Sequence, residues 1–95
     1  MRYIALVDGR PGAYGVSFPD LPGCNAMGET VEQALFNAVP ALAEWMQDVR
    51  SQELLVPEPT SFDALLQDED VLESVHSGGA FLTPIPYLPD ADGAA

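Results

Sequence analysis

The stretch from Val31 to Val49 constrains the fold most. At about 100° per residue, Val31, Ala34, Leu35, Ala38, Val39, Leu42, Trp45, Met46 and Val49 fall within one sector of roughly 140°, and Glu32, Asn37, Glu44 and Asp48 lie outside it. A helix with such a stripe cannot hide it alone, so the rest of the chain must supply a surface for it. Thr30-Val31-Glu32-Gln33 has the spacing of a capping box, in which the Thr30 hydroxyl accepts from the Gln33 N–H and the Gln33 amide reaches back. Pro40 falls inside the helix, where losing a backbone bond and crowding the preceding turn costs about 3 kcal/mol. It sits on the polar side, so a bend convex to solvent is expected rather than a break.

The surface for that helix is expected from the flanking segments. Residues 2 to 7 alternate Tyr3, Ala5 and Val7 with Ile4 and Leu6, as in a strand buried on both faces. Asp8 to Gly12 reads as a turn, and Tyr14, Val16 and Phe18 alternate with small residues in a second strand that Pro19 ends. Leu21-Pro22-Gly23-Cys24 places Pro22 and Gly23 at the centre of a type II turn, and a short strand follows from Cys24 to Gly28. Beyond the helix, Val56-Pro57-Glu58-Pro59 is a stiff link, and Thr60 or Ser61 caps a short helix carrying Phe62, Leu65 and Leu66. A weak turn over Val71 to Val75 stops at Gly78-Gly79, and residues 80 to 88 form a last strand whose Pro84 and Pro86 suit a sheet edge. Residues 89 to 95 read as a tail. The expectation is one α+β domain over residues 1–88, ordered β-β-β-α-(short α)-β, with an antiparallel hairpin and one amphipathic helix packed on the sheet.

Charge narrows the function. Fifteen acidic residues stand against three arginines, Arg2, Arg10 and Arg50, for a formal charge of −12. A phosphate backbone is bound by clustered cations, so direct nucleic-acid binding is not expected; a basic protein partner would be attracted, although acidity also serves solubility alone. No apolar run is long enough to span a membrane, Met1 to Val7 runs at once into Asp8 without a small-residue cleavage site, so a secretory signal is not expected, and the lone Cys24 forms no internal disulfide, which together suit the cytoplasm.

The string Gly15-Val16-Ser17-Phe18-Pro19-Asp20-Leu21-Pro22-Gly23-Cys24, followed by Gly28-Glu29-Thr30-Val31-Glu32-Gln33-Ala34-Leu35, resembles the N-terminal signature of the HicB family of bacterial antitoxins. Val56 to Pro59 supplies that family's Pro-x-Pro link, and the resemblance spans roughly residues 2 to 88. It implies a partial RNase H-like fold, self-association, and pairing with a basic RNA-cleaving toxin of the HicA type, whose RNA surface an acidic partner would occlude. It also implies a C-terminal DNA-binding segment; the sequence stops at Ala95, either because the chain is truncated or because this member neutralises without binding DNA, so autorepression is not expected of these residues. If acidic side chains face the toxin, Asp20, Glu29, Glu32, Glu44 and Asp48 are the candidates, with Pro19, Pro22 and Gly23 shaping the turn beside them.

A catalytic alternative is a degenerate RNase H-like metal-dependent hydrolase, since Asp8 ends the first strand where that fold carries a carboxylate. Glu29 and Glu32 match no metal motif, and no cofactor is expected. His76 lacks catalytic neighbours at a telling spacing, Cys24 suits packing better than nucleophilic attack, and Asp68-Glu69-Asp70 with Glu73 lacks the pattern of a calcium loop.

Overall fold

The computed structural model describes residues 1–89; the end of the segment expected as a tail, 90–95, lies outside the described residues. Four strands, β1 (Arg2–Arg10), β2 (Ala13–Ser17), β3 (Asn25–Gly28) and β4 (Phe81–Pro86), form one antiparallel sheet in the order β3-β2-β1-β4. Helix α1 (Val31–Ser51) packs on one face. Two shorter helices, α2 (Phe62–Leu65) and α3 (Glu69–Gly78), lie between α1 and β4 in the chain.

The hairpin is tighter than its sequence suggests. Arg10 pairs with Ala13, so the turn is Pro11-Gly12 alone and β1 runs three residues past its expected end at Val7. Gly9 makes this possible: at φ +110, a Cβ there would lie against the Ala13 carbonyl oxygen and 2.9 Å from the Tyr14 Cα. Only a residue without a side chain lets the two backbones approach so closely.

Helix α1 passes through Pro40 without interruption and buries Ala34, Ala38, Leu42, Met46 and Val49 as its periodicity requires. Ala34, Ala38, Leu42 and Met46 meet Tyr3, Ala5 and Val7 of β1, Val16 and Phe18 from the β2 segment, Leu21, Cys24 and Ile85. Ala43 is also buried, although it lies outside the apolar sector. The Thr30 Oγ1 accepts from the Gln33 N–H at 3.0 Å, but the reciprocal half of the capping box is absent. The Gln33 amide instead donates to Asn37 Oδ1 (3.1 Å), and the Asn37 amide donates to the Met27 carbonyl (2.8 Å). This relay satisfies an outward-facing carbonyl of edge strand β3, while prolines 84 and 86 interrupt the row of N–H donors on edge strand β4. Both devices blunt an edge that would otherwise pair with another chain.

The second face corrects the expectation that α1 is the only substantial helix. Where a weak turn over 71–75 was expected, α3 runs ten residues, capped by Asp68 Oδ1, which accepts from the N–H groups of Asp70 (2.9 Å) and Val71 (3.2 Å), and closed by Gly79 in the left-handed conformation. Asp68, Glu69 and Asp70 therefore sit at the positive end of a helix dipole, which accounts for that acidic cluster. Of the two possible caps for α2, Ser61 serves, accepting from Ala64 N at 3.1 Å. Leu65 and Val71 close over Ile4, with Leu82 beside them. Ile4 is thus buried on this second face, as its alternation with Tyr3, Ala5 and Val7 implies, whereas Leu6 is only half-buried.

Candidate functional site

The Phe18–Cys24 segment after β2 folds as two successive turns. Leu21 N donates to Phe18 O and Cys24 N to Leu21 O, each at 3.0 Å, with Pro19 and Pro22 at the second position of each turn and Gly23 at φ 88. Fully buried Leu21 anchors the pair, so Pro19, Pro22 and Gly23 shape a rigid loop.

The five candidate carboxylates do not converge. Asp20 is engaged within the molecule: Oδ1 accepts from the Thr60 hydroxyl (2.6 Å) and Oδ2 from the Thr60 N–H (2.7 Å). The Tyr3 hydroxyl donates to the Pro57 carbonyl (2.6 Å), so the Pro-x-Pro link is clamped at two points. Burial, and then the nearby Asp20 carboxylate, push the Tyr3 phenol above its ordinary value. Glu29 and Glu32 are exposed around the start of α1, where the helix dipole favours them, and the Glu29 carbonyl receives the Gly12 N–H at 2.8 Å. Glu44 and Asp48 are exposed on the C-terminal half of α1; the twelve residues from Glu32 to Glu44 separate them by about 18 Å along the axis at 1.5 Å per residue.

Around Glu44 and Asp48 the structure assembles more than carboxylates. They line a shallow hollow of about 270 Å³ with Gly23, Cys24, Asn25, Ala41 and Trp45. The Trp45 Nε1–H donates to the Pro22 carbonyl (3.2 Å), holding the indole against the turn. Helical periodicity placed Trp45 among core positions; it is half-buried, one wall of this hollow. Exposed Phe36, Leu55 and Met27 were not singled out from sequence, because isolated apolar residues carry no periodic signal.

The groups considered for catalysis stand apart. Asp8 is exposed on β1 opposite Gly15, and His76 is exposed in the last turn of α3. Cys24 is buried and desolvation pushes its thiol up to about 11, which disfavours the nucleophilic thiolate. Among the described residues no three His, Cys, Asp or Glu side chains are grouped to hold a metal ion, and no helix is long and apolar enough to cross a membrane.

The class that this architecture defines is a small acidic α+β domain in which one long helix packs on a four-stranded antiparallel sheet. The chain belongs to the HicB-like antitoxins of bacterial toxin-antitoxin systems, whose family model matches residues 3–77. Among solved structures, the antitoxin-like fold recurs in the HicA3 and HicB3 toxin-antitoxin complex, at 22% identity and a TM-score of 0.75 over 94% of this chain and 100% of that one. The N-terminal domain of Burkholderia pseudomallei antitoxin HicB matches at 21% identity and 0.71, covering 93% and 99%. A toxin-antitoxin complex from Streptococcus pneumoniae matches at 22% and 0.68, covering 90% and 67%. In another B. pseudomallei HicB structure the match spans 66% of that longer chain. Comparison with curated protein sequences finds no match.

Proposed function

We propose that this chain neutralises a basic, RNA-cleaving toxin of the HicA type by covering its RNA-binding and catalytic surface, and does no chemistry of its own. The observation that carries the reading is family membership over residues 3–77 combined with a charge of −12, none of it on a buried side chain among the described residues. A cationic surface that attracts phosphate attracts such a domain for the same reason, and the complementary fields raise the rate of encounter. Similar folds occur in structures described as HicA3–HicB3 and Streptococcus pneumoniae toxin-antitoxin complexes, which supports a toxin as the partner. The candidate contact residues are Glu44 and Asp48, then Glu29 and Glu32; Asp20 contributes by holding its loop against Thr60.

Residues 1–88 suffice for this role in the cytoplasm, and operator binding is not among their functions, since the acidic surface opposes duplex phosphate. We read the order of the strands and α1 as RNase H-like without reading hydrolysis into it; among the described residues Asp8 belongs to no group of three His, Cys, Asp or Glu side chains. Co-expression with a small basic toxin of the HicA type tests the reading. The two chains should copurify and cell growth should recover; growth that stays arrested while the protein is folded and abundant contradicts it.

A further inference from the structure

We propose that the hollow between the Pro22–Asn25 turn and the C-terminal half of α1 receives an arginine side chain of the toxin; this rests on the neutralising role above. Its walls suit a guanidinium. The Trp45 indole is held by its bond to the Pro22 carbonyl and offers a π surface, while Glu44 and Asp48 offer carboxylates one helical turn apart. Gly23 and Ala41 contribute little bulk, and a Cβ built on Gly23 meets nothing within 4 Å, so the mouth is open on the turn side. The turn is fixed by Cys24 N donating to Leu21 O (3.0 Å), so the hollow exists before any partner arrives.

Local energetics point the same way. Glu44 and Asp48 are like charges at i and i+4, which repel on a helix surface. Asp48 also stands in the last four residues of α1, at the negative end of the helix dipole, where a cation is favoured and a carboxylate is not. The protein's own hydrogen bonds give only modest relief: Gln52 Nε2 donates to Asp48 Oδ2 at 3.2 Å, and the nearby Arg50 is turned to Tyr87, donating to its hydroxyl at 2.7 Å. Two carboxylates kept where the helix disfavours them, beside an indole and an open hollow, form a site that an external cation completes. A toxin whose RNA surface is cationic presents that cation.

Calorimetric titration of the full chain with its HicA-type toxin at about 0.1 M salt tests the assignment, a concentration at which charge interactions still reach about 10 Å. Glu44→Gln with Asp48→Asn should weaken binding at least about tenfold, while Glu58→Gln with Glu73→Gln, an equal loss of charge elsewhere on the surface, should change it by less than about threefold. Trp45→Phe, which retains an aromatic wall, should fall between them, with each variant's fold checked by circular dichroism. Equal weakening by the two charge pairs would reduce the effect to net charge and overturn the pocket, as would a neutralised Glu44/Asp48 pair that binds like the parent. A parent protein that fails to bind the toxin overturns the neutralising role itself, an outcome distinct from either.

Discussion

The two faces of the sheet are built on different scales. On the α1 face, twelve buried residues from β1, the β2 segment, the Leu21–Cys24 turn, α1 and β4 form one cluster. On the other face, α2 and α3 bring only Leu65 and Val71 onto Ile4, with Leu82 half-covered beside them. A long amphipathic helix organises a core from residues distant in sequence, whereas two short helices only shelter the β1–β4 half of a sheet. The α1 face should therefore set global stability, and the α2–α3 face should open locally at lower free energy.

Paired truncations break or sharpen that contrast most strongly. Leu42→Ala, at a fully buried site among large neighbours, should cost about 4 kcal/mol in urea unfolding, and Leu65→Ala, under a thin layer free to relax, about 2 kcal/mol. Equal costs would remove the distinction. The next effect belongs to Gly28, whose β3 backbone abuts the start of α1: an added Cβ would lie 2.8 Å from the Ala34 Cα and from the Gln33 carbonyl carbon. Both are backbone atoms that cannot swing aside, so Gly28→Ala should destabilise by about 2 to 3 kcal/mol, seen as a lowered unfolding midpoint with unchanged slope.

The difference between the faces also explains what could be read from sequence. Helix α1 was legible because nineteen residues repeat one period behind a Thr30 cap. Helix α3 was not, because Val71 is its only buried residue and Ile4, which it covers, is sixty-seven positions away. Asp68 could have signalled its start, since an Asp followed by two further acids is a common opening for a helix. The candidate site divides in the same manner. Glu44 and Asp48 share a helix face by periodicity alone, but the turn that walls their hollow meets Trp45 only through the fold. The engagement of Asp20 with Thr60, forty residues on, was equally invisible, because no local pattern records a tertiary hydrogen bond.

Smaller effects test the caps on the two faces. Thr30→Ala and Asp68→Ala should each cost about 1 kcal/mol, but hydrogen exchange should place the first loss in global unfolding and the second in local opening of α3. The smallest concerns pH. The Tyr3 phenol and Cys24 thiol are both raised by burial in the folded state, so the stability they contribute is present below their ordinary values near 10 and 9 and is lost as pH rises through the folded values, about 11 for Cys24. Tyr3→Phe should flatten part of the decline in stability above pH 10, and an unchanged decline would mean that the Tyr3 phenol is not desolvated in solution.

In the neutralising role proposed above, this folded acidic surface takes the place of RNA on a cationic nuclease. Cleavage of a labelled RNA by the cognate toxin, followed while the protein is added up to equimolar amounts, measures that substitution directly. Cleavage should fall to background near one chain per toxin and return as salt is raised; full cleavage in the presence of excess folded protein at low salt would contradict the account.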